Sequence, residues 1–167
     1  MKIIDNFLDI ESFTRIQQTL LSGDINWFYS NYTNNVSKRD QFYFNHHFYE
    51  QFKWVSSQHE IINPLLAKIN PIAIHNIRAN LTTRSENIIE SDYHVDLTFI
   101  KDKNKLSQWT TSIFYINNND GYTKLSDETI VESKSNRLLI MSSDTQHLGT
   151  TCTNQKRRIV INLNYFV

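Results

Sequence analysis

Along the first part of the chain, apolar side chains recur at the spacing of one helix face. Phe13, Ile16, Leu20 and Leu21 fall three and four residues apart, Asp9 or Ser12 stands where a side-chain cap belongs, and Gly23 follows as a stop. A short apolar opening of Ile3, Ile4, Phe7 and Leu8 precedes this helix. Between Trp27 and Tyr49 the chain is crowded with aromatics but keeps no sustained period, so strands and loops both fit it. Helical spacing returns over residues 51–68 through Phe52, Val55, Ile62, Leu65 and Leu66; Pro64 must start or kink a separate turn there, and Pro71 closes the region.

From residue 72 the period changes to two. Ile72, Ile74, Asn76, Arg78 and Asn80 share one face, and Ala73, His75, Ile77, Ala79 and Leu81 share a mostly apolar other, as in a half-buried strand. A polar loop over residues 82–92 leads to Tyr93-His94-Val95-Asp96-Leu97-Thr98-Phe99, read as extended. Residues 109–117 are β-branched and aromatic and end in the turn signal Asn118-Asn119-Asp120-Gly121. Residues 129–132, 136–141 and 158–166 complete the set of short strands. A helical first third followed by strands without interleaved helices predicts an α+β, mainly β, architecture. The expected form is a double-stranded β-helix, a jelly-roll or cupin-like barrel with N-terminal helices packed outside. The expected organisation is one domain over residues 1–167, with helical support at 9–68 and the barrel at 72–167.

Composition narrows the partners. Lys plus Arg and Asp plus Glu both count 17, and this balance supplies no cationic field for nucleic acid or an anionic membrane surface. The partner expected is therefore a small molecule or a peptide held in a site; no oligomeric state follows. With 3 glycines and 2 prolines, asparagine takes over turn positions, as at Asn34-Asn35 and residues 117–119. Cys152 has no second cysteine to pair with, and no apolar run is long enough to span a bilayer, so a soluble cytoplasmic protein is expected.

The candidate chemistry lies in the strand region. On extended backbone His94 and Asp96 share a face and can aim at one atom. His147 follows the polar bend Ser142-Ser143-Asp144-Thr145-Gln146 and can supply a third ligand. Two histidines and a carboxylate on one face of a metal leave the remaining positions open, the arrangement of non-haem Fe(II) oxygenases. His46 and His47, adjacent in sequence, would point opposite ways on a strand and cannot jointly face one metal; packing, surface or pocket-rim roles remain.

The joint order of strand, His94-x-Asp96, a strand with Tyr115, the Asn-Asp-Gly turn, a strand, His147 and then Arg158 resembles the 2-oxoglutarate- and Fe(II)-dependent dioxygenases. The likeness is to the short forms similar to prolyl hydroxylases and their phage and bacterial relatives. It runs from Ile4-Asp5-Asn6-Phe7-Leu8 to the last strand, and its specific part is residues 93–166. The resemblance implies Fe(II), 2-oxoglutarate and O2, with His94, Asp96 and His147 as catalytic metal ligands. It also implies an arginine at the start of the final strand that holds the distal carboxylate of 2-oxoglutarate. Arg157 and Arg158 compete for that role; neighbours face opposite ways, and Arg158 is favoured because it shares a face with Val160, Asn162 and Asn164. Tyr115, and more weakly Thr111, would bind the co-substrate, and Arg78 and Asn80 would reach the pocket. The implied reaction couples decarboxylation of 2-oxoglutarate to hydroxylation of an amino acid, peptide or small metabolite, with the aromatic tract at residues 27–49 as a lid. Retention of Asp96 favours hydroxylation over halogenation. The alternatives are a catalytically silent jelly-roll binding module and a cupin-like metal enzyme that does not use 2-oxoglutarate.

Overall fold

Alternation along the last strand decides the architecture. In the computed structural model, which describes residues 1–31 and 42–167, strand β11 (Arg157–Phe166) lies between β5 (Ala73–Thr83) and β6 (Thr110–Tyr115), antiparallel to both. Ile159, Ile161 and Leu163 join Ile77, Ala79 and Phe114 in one apolar cluster with Phe13, Ile16 and Leu20 of α1 (Ile10–Leu21) and Leu65 of α2 (Asn63–Ile69). Phe13 meets Phe114 edge to face at 6.0 Å. Asp9 caps α1 by accepting from the Ser12 amide at 2.8 Å. On the opposite face of β11, Arg158, Val160, Asn162 and Asn164 are all buried.

The large sheet has eight strands: β1 (Lys2–Ile4), β9 (Arg137–Ser142), β6, β11, β5, β3 (Phe42–Glu50) and β2 (Phe28–Asn31) in that order, with β4 (Lys53–Trp54) paired to β3. A second sheet of β10 (His147–Gly149), β7 (Tyr122–Leu125) and β8 (Ile130–Glu132) covers part of its other face. Ile113, Tyr115, Leu139, Met141 and Val160 of the large sheet pack there with Leu125 and Val131 of the small one. The protein is thus mainly β and antiparallel, but the expected closed barrel is not formed. The three strands of the small sheet are only three or four residues long, and beside them single bridges, His94 to His147 and Glu90 to Thr150, replace a continuous ladder. The gap between the sheets stays open as a cleft.

Other expectations shift locally. Residues 51–68 are not one helix: Gln51 and Phe52 take positive φ in the β3–β4 turn, a 3₁₀ turn runs over His59–Ile62, and α2 begins only at Asn63. Pro64 sits in the first turn of α2, where its missing N–H costs nothing. Phe52 and Val55 of the presumed stripe are exposed. The aromatic tract contributes strands β2 and β3, so residues 9–68 are not purely helical; Tyr32 and Asn34-Asn35 fall outside the described residues. Residues 93–99 form no strand beyond the single bridge at His94. The charged segment at residues 101–105, which reads from sequence as a solvated loop, enters the short α3 (Lys103–Leu106), capped by Asp102. No helix among the described residues is long and apolar enough to cross a membrane.

Asn136, at φ 59°, accepts from the Leu8 amide and donates to the Leu8 carbonyl, each at 2.9 Å, tying the N-terminal segment to β9. Asn136→Ala removes both bonds and keeps the backbone strain, so it should lower unfolding stability by about 2–4 kcal/mol in urea titrations. Asn136→Gly, relieved of that strain, should lose less.

His46 is held neutral between the Asn26 carbonyl and the Ser56 hydroxyl, both at 2.8 Å, and burial lowers its pKa along with those of His47 and His75. Below the unfolded histidine value of about 6.5 the unfolded chain takes up more protons than the folded one. The urea midpoint should therefore fall as pH drops from about 7.5 to about 5.5. A midpoint that rises over this range would contradict the neutral, buried assignment.

Candidate metal centre

His94 and His147 are brought together by their backbones before their side chains. The His94 amide donates to the His147 carbonyl and the His147 amide donates back to the His94 carbonyl, both at 3.0 Å, a one-rung antiparallel pair. The rings lie 4.8 Å apart by centroid. Each ring then donates from Nδ1 to a carbonyl two residues earlier: His94 to Asp92 at 2.9 Å and His147 to Thr145 at 3.1 Å. A carbonyl only accepts, so Nδ1 carries the proton in both rings and Nε2 presents its lone pair.

Those lone pairs converge with a carboxylate. His94 Nε2 lies 3.7 Å from Asp96 Oδ1, and the ligand atoms of His94, Asp96 and His147 all lie within 4.8 Å of one another. His147 Nε2 is buried and has no hydrogen-bond partner. An orphaned ring nitrogen facing a carboxylate and a second lone pair is what a divalent metal would satisfy, so the donor set fits such an ion. Asp96 Oδ2 accepts from Asn164 Nδ2 at 3.0 Å; the same amide donates to Thr111 Oγ1, which hydrogen-bonds Ser143. Burial works to raise the Asp96 pKa, but His147, His94, the Asn164 hydrogen bond and Arg78 outweigh it and hold the carboxyl below its usual value. Burial lowers the His147 pKa against the pull of Asp96 and keeps the ring neutral.

A cleft of about 660 Å³, its open mouth included, runs from this cluster to Arg158. Arg158 is 4% exposed; its Nε donates to Ser133 Oγ at 2.8 Å and its Nη2 to Thr123 Oγ1 at 3.2 Å. Tyr115 donates to the same Thr123 oxygen at 2.8 Å. Thr123 therefore accepts twice and keeps its own proton for the cleft it lines. Gly121 makes room for the arginine, since a Cβ there would lie 2.7 Å from Arg158 Cδ and 2.5 Å from the Thr151 carbonyl oxygen.

The residues singled out from sequence divide clearly. His94, Asp96 and His147 cluster, and Arg158, Arg78 and Asn80 line the adjoining cleft. Arg157 faces the other way and donates to the Leu21 carbonyl at the end of α1. Tyr115 is fully buried and reaches the cleft only through Thr123; Thr111 braces Asn164 rather than facing the cleft. His46 and His47 lie outside the cluster, His46 between Asn26 and Ser56 and His47 beside Glu50 at 3.4 Å. Thr123 and Ser133 are not signalled by the sequence, and Asn164 is placed there on the Arg158 face without a role at the metal cluster. Asn164 was findable from its parity with Arg158, whereas β7, which carries Thr123, is too short to show a period.

No protein-family model and no curated protein matches the chain. Solved structures do. An oxidoreductase of the 2OG-Fe(II) oxygenase family from Burkholderia pseudomallei superposes with a TM-score of 0.68 at 10% identity, over 98% of this chain and 84% of that one. A Pseudomonas putida prolyl-4-hydroxylase gives 0.67 at 11%, over 99% and 91%. A Trichoplax adhaerens prolyl hydroxylase, solved with a hypoxia-inducible-factor peptide fragment, gives 0.64 at 17%, over 99% and 82%. Across almost its whole length, the chain therefore has the fold of the 2-oxoglutarate- and Fe(II)-dependent oxygenases.

Proposed function

We propose that this protein is a non-haem Fe(II) dioxygenase that couples decarboxylation of 2-oxoglutarate to hydroxylation of an amino-acid, peptide or small-metabolite substrate. The observation that carries the reading is the convergence of two oriented Nε2 lone pairs on the Asp96 carboxylate, with the His147 nitrogen otherwise unpartnered, in a cleft lined by a buried arginine. His94, Asp96 and His147 hold the metal. Bound Fe(II) with 2-oxoglutarate and O2 supplies the oxidising chemistry.

The chain's own groups do the positioning. The carbonyls of Asp92 and Thr145 fix both ring tautomers, and Asn164 orients the carboxylate. Arg158 grips the distal carboxylate of 2-oxoglutarate, and the spare proton of Thr123 adds a second donor beside it. Tyr115 positions Thr123, and its ring lies 5.8 Å from the guanidinium carbon. A silent binding module would have no use for the orphaned His147 nitrogen, and a metal enzyme without 2-oxoglutarate would have none for a buried arginine at the cleft. The prolyl hydroxylase solved with a peptide fragment supports a peptide or small-molecule substrate. The whole chain acts as one domain, its α1 and α2 layer supporting the strands, and the single buried Cys152 suits a reducing, cytoplasmic setting.

Mn(II) and 2-oxoglutarate should each raise the thermal midpoint of the full chain, and Fe(II) should support slow release of succinate. His147→Ala should abolish the metal-dependent rise and lower succinate release at least about a hundredfold. Arg158→Gln should raise the 2-oxoglutarate concentration needed by about thirtyfold or more, as for a buried charge pair broken on one side. Absence of 2-oxoglutarate affinity in the intact protein, or indifference to Arg158→Gln, would end this reading.

A further inference from the structure

Among the described residues, seven buried side-chain nitrogen or oxygen atoms have no hydrogen-bond partner, and five of them sit on neighbouring positions of β3, β5 and β11. His47, Arg78 and Asn162 stand side by side in register across the three strands, with Asn80 and Asn76 on either side of Arg78 along β5. At about 4.8 Å per strand the row is about 10 Å wide. Asn162 and Asn164 are two apart on β11, and Asn164 holds Asp96, so the row borders the metal cluster. It lies about 13 Å along the sheet from the level of Arg158, four residues away at about 3.3 Å each.

Each unmade bond is costly when buried, and a guanidinium the most so. Arg78 forms no ion pair among the described residues; its guanidinium carbon sits 6.0 Å from the Tyr43 ring, and its Nε has no acceptor. Two acids lie near the row: Glu50, beside His47, and Asp96, whose carboxyl Arg78 helps hold below its usual value without an ion pair between them. Arg158 is already assigned to the co-substrate, and Asp96 to the metal, which leaves Arg78 as a second cation in the cleft with no ion-paired carboxylate of its own.

We infer that Arg78 is a specificity-determining residue for the primary substrate, and that the substrate carries a carboxylate read by Arg78, with N–H or O–H donors that meet the carbonyls of Asn76, Asn80 and Asn162. The inference rests on the dioxygenase reading for the word substrate, not for the binding itself. The carboxylate belongs either to a free amino acid or to an acidic peptide, and the same test separates them.

The full chain, loaded with Mn(II) and 2-oxoglutarate and also metal-free, is titrated with free L-amino acids and their α-carboxamides, and with short peptides bearing Asp or Glu and their Asn or Gln counterparts. Binding is read by thermal shift and, with Fe(II), by stimulated succinate release. At least one acid should bind about thirtyfold or more tightly than its amide, a ratio typical of a lost charged hydrogen bond. The pair that shows it identifies the source as amino acid or peptide. Arg78→Gln should collapse the ratio to below about threefold, and Arg78→Lys should recover part of it, keeping the charge without the planar fork. Arg157→Gln, on the opposite face of the strand, should leave the ratio standing. Equal binding of acids and amides, a ratio that survives Arg78→Gln, or no binding by any acid would overturn the inference. A wild-type chain that binds no metal or 2-oxoglutarate but still discriminates acids through Arg78 would defeat the dioxygenase reading alone.

Discussion

The two faces of β11 carry opposite burdens, and the rest of the molecule is arranged around that difference. One face is apolar and lies under α1 and α2. The other buries Arg158, Asn162 and Asn164, which hydrophobic packing alone cannot stabilise, since a buried polar group without a partner costs free energy. Asn164 is satisfied by Asp96 and Thr111, and Arg158 by Ser133 and Thr123. Asn162 keeps an unpaired oxygen above the cleft. The strand thus sets the ends of the cleft, with the His94, Asp96 and His147 cluster at the level of Asn164 and a buried guanidinium at Arg158.

The convergence of the three side chains depends on backbone before side chains. A single antiparallel rung sets His94 beside His147, and two carbonyls set their tautomers. The ligands therefore need little rearrangement to meet an ion, which keeps the ordering cost of binding low. Burial keeps His147 neutral, and the two histidines, the Asn164 hydrogen bond and Arg78 hold the Asp96 carboxyl below its usual value, the forms a metal requires.

Much of this was legible in the sequence where a period was long enough to read. The alternation over residues 158–166 put Arg158 with Asn162 and Asn164 and turned Arg157 away, and the structure has that parity. The region at residues 51–68 misled because apolar spacing cannot see the positive-φ turn at Gln51 and Phe52 that folds it back onto β3. Residues 93–99 misled in a subtler way. His94 and Asp96 do converge, but on a loop pinned by one rung, so their shared aim comes from His147 rather than from strand geometry. Thr123 and Ser133 were invisible because their segments are too short for any pattern and gain meaning only from the guanidinium between them.

In the proposed metal centre His94 and His147 offer Nε2 to one ion while keeping Nδ1–H on backbone carbonyls. Long-range ¹H–¹⁵N correlation of the histidine rings, recorded before and after one equivalent of diamagnetic Zn(II), tests it directly. Both rings should be Nδ1–H tautomers throughout, with their Nε2 resonances alone moving strongly on zinc addition. Nε2–H tautomers in the free chain, or Nε2 resonances that ignore zinc, would rule out this pair of histidines as metal ligands.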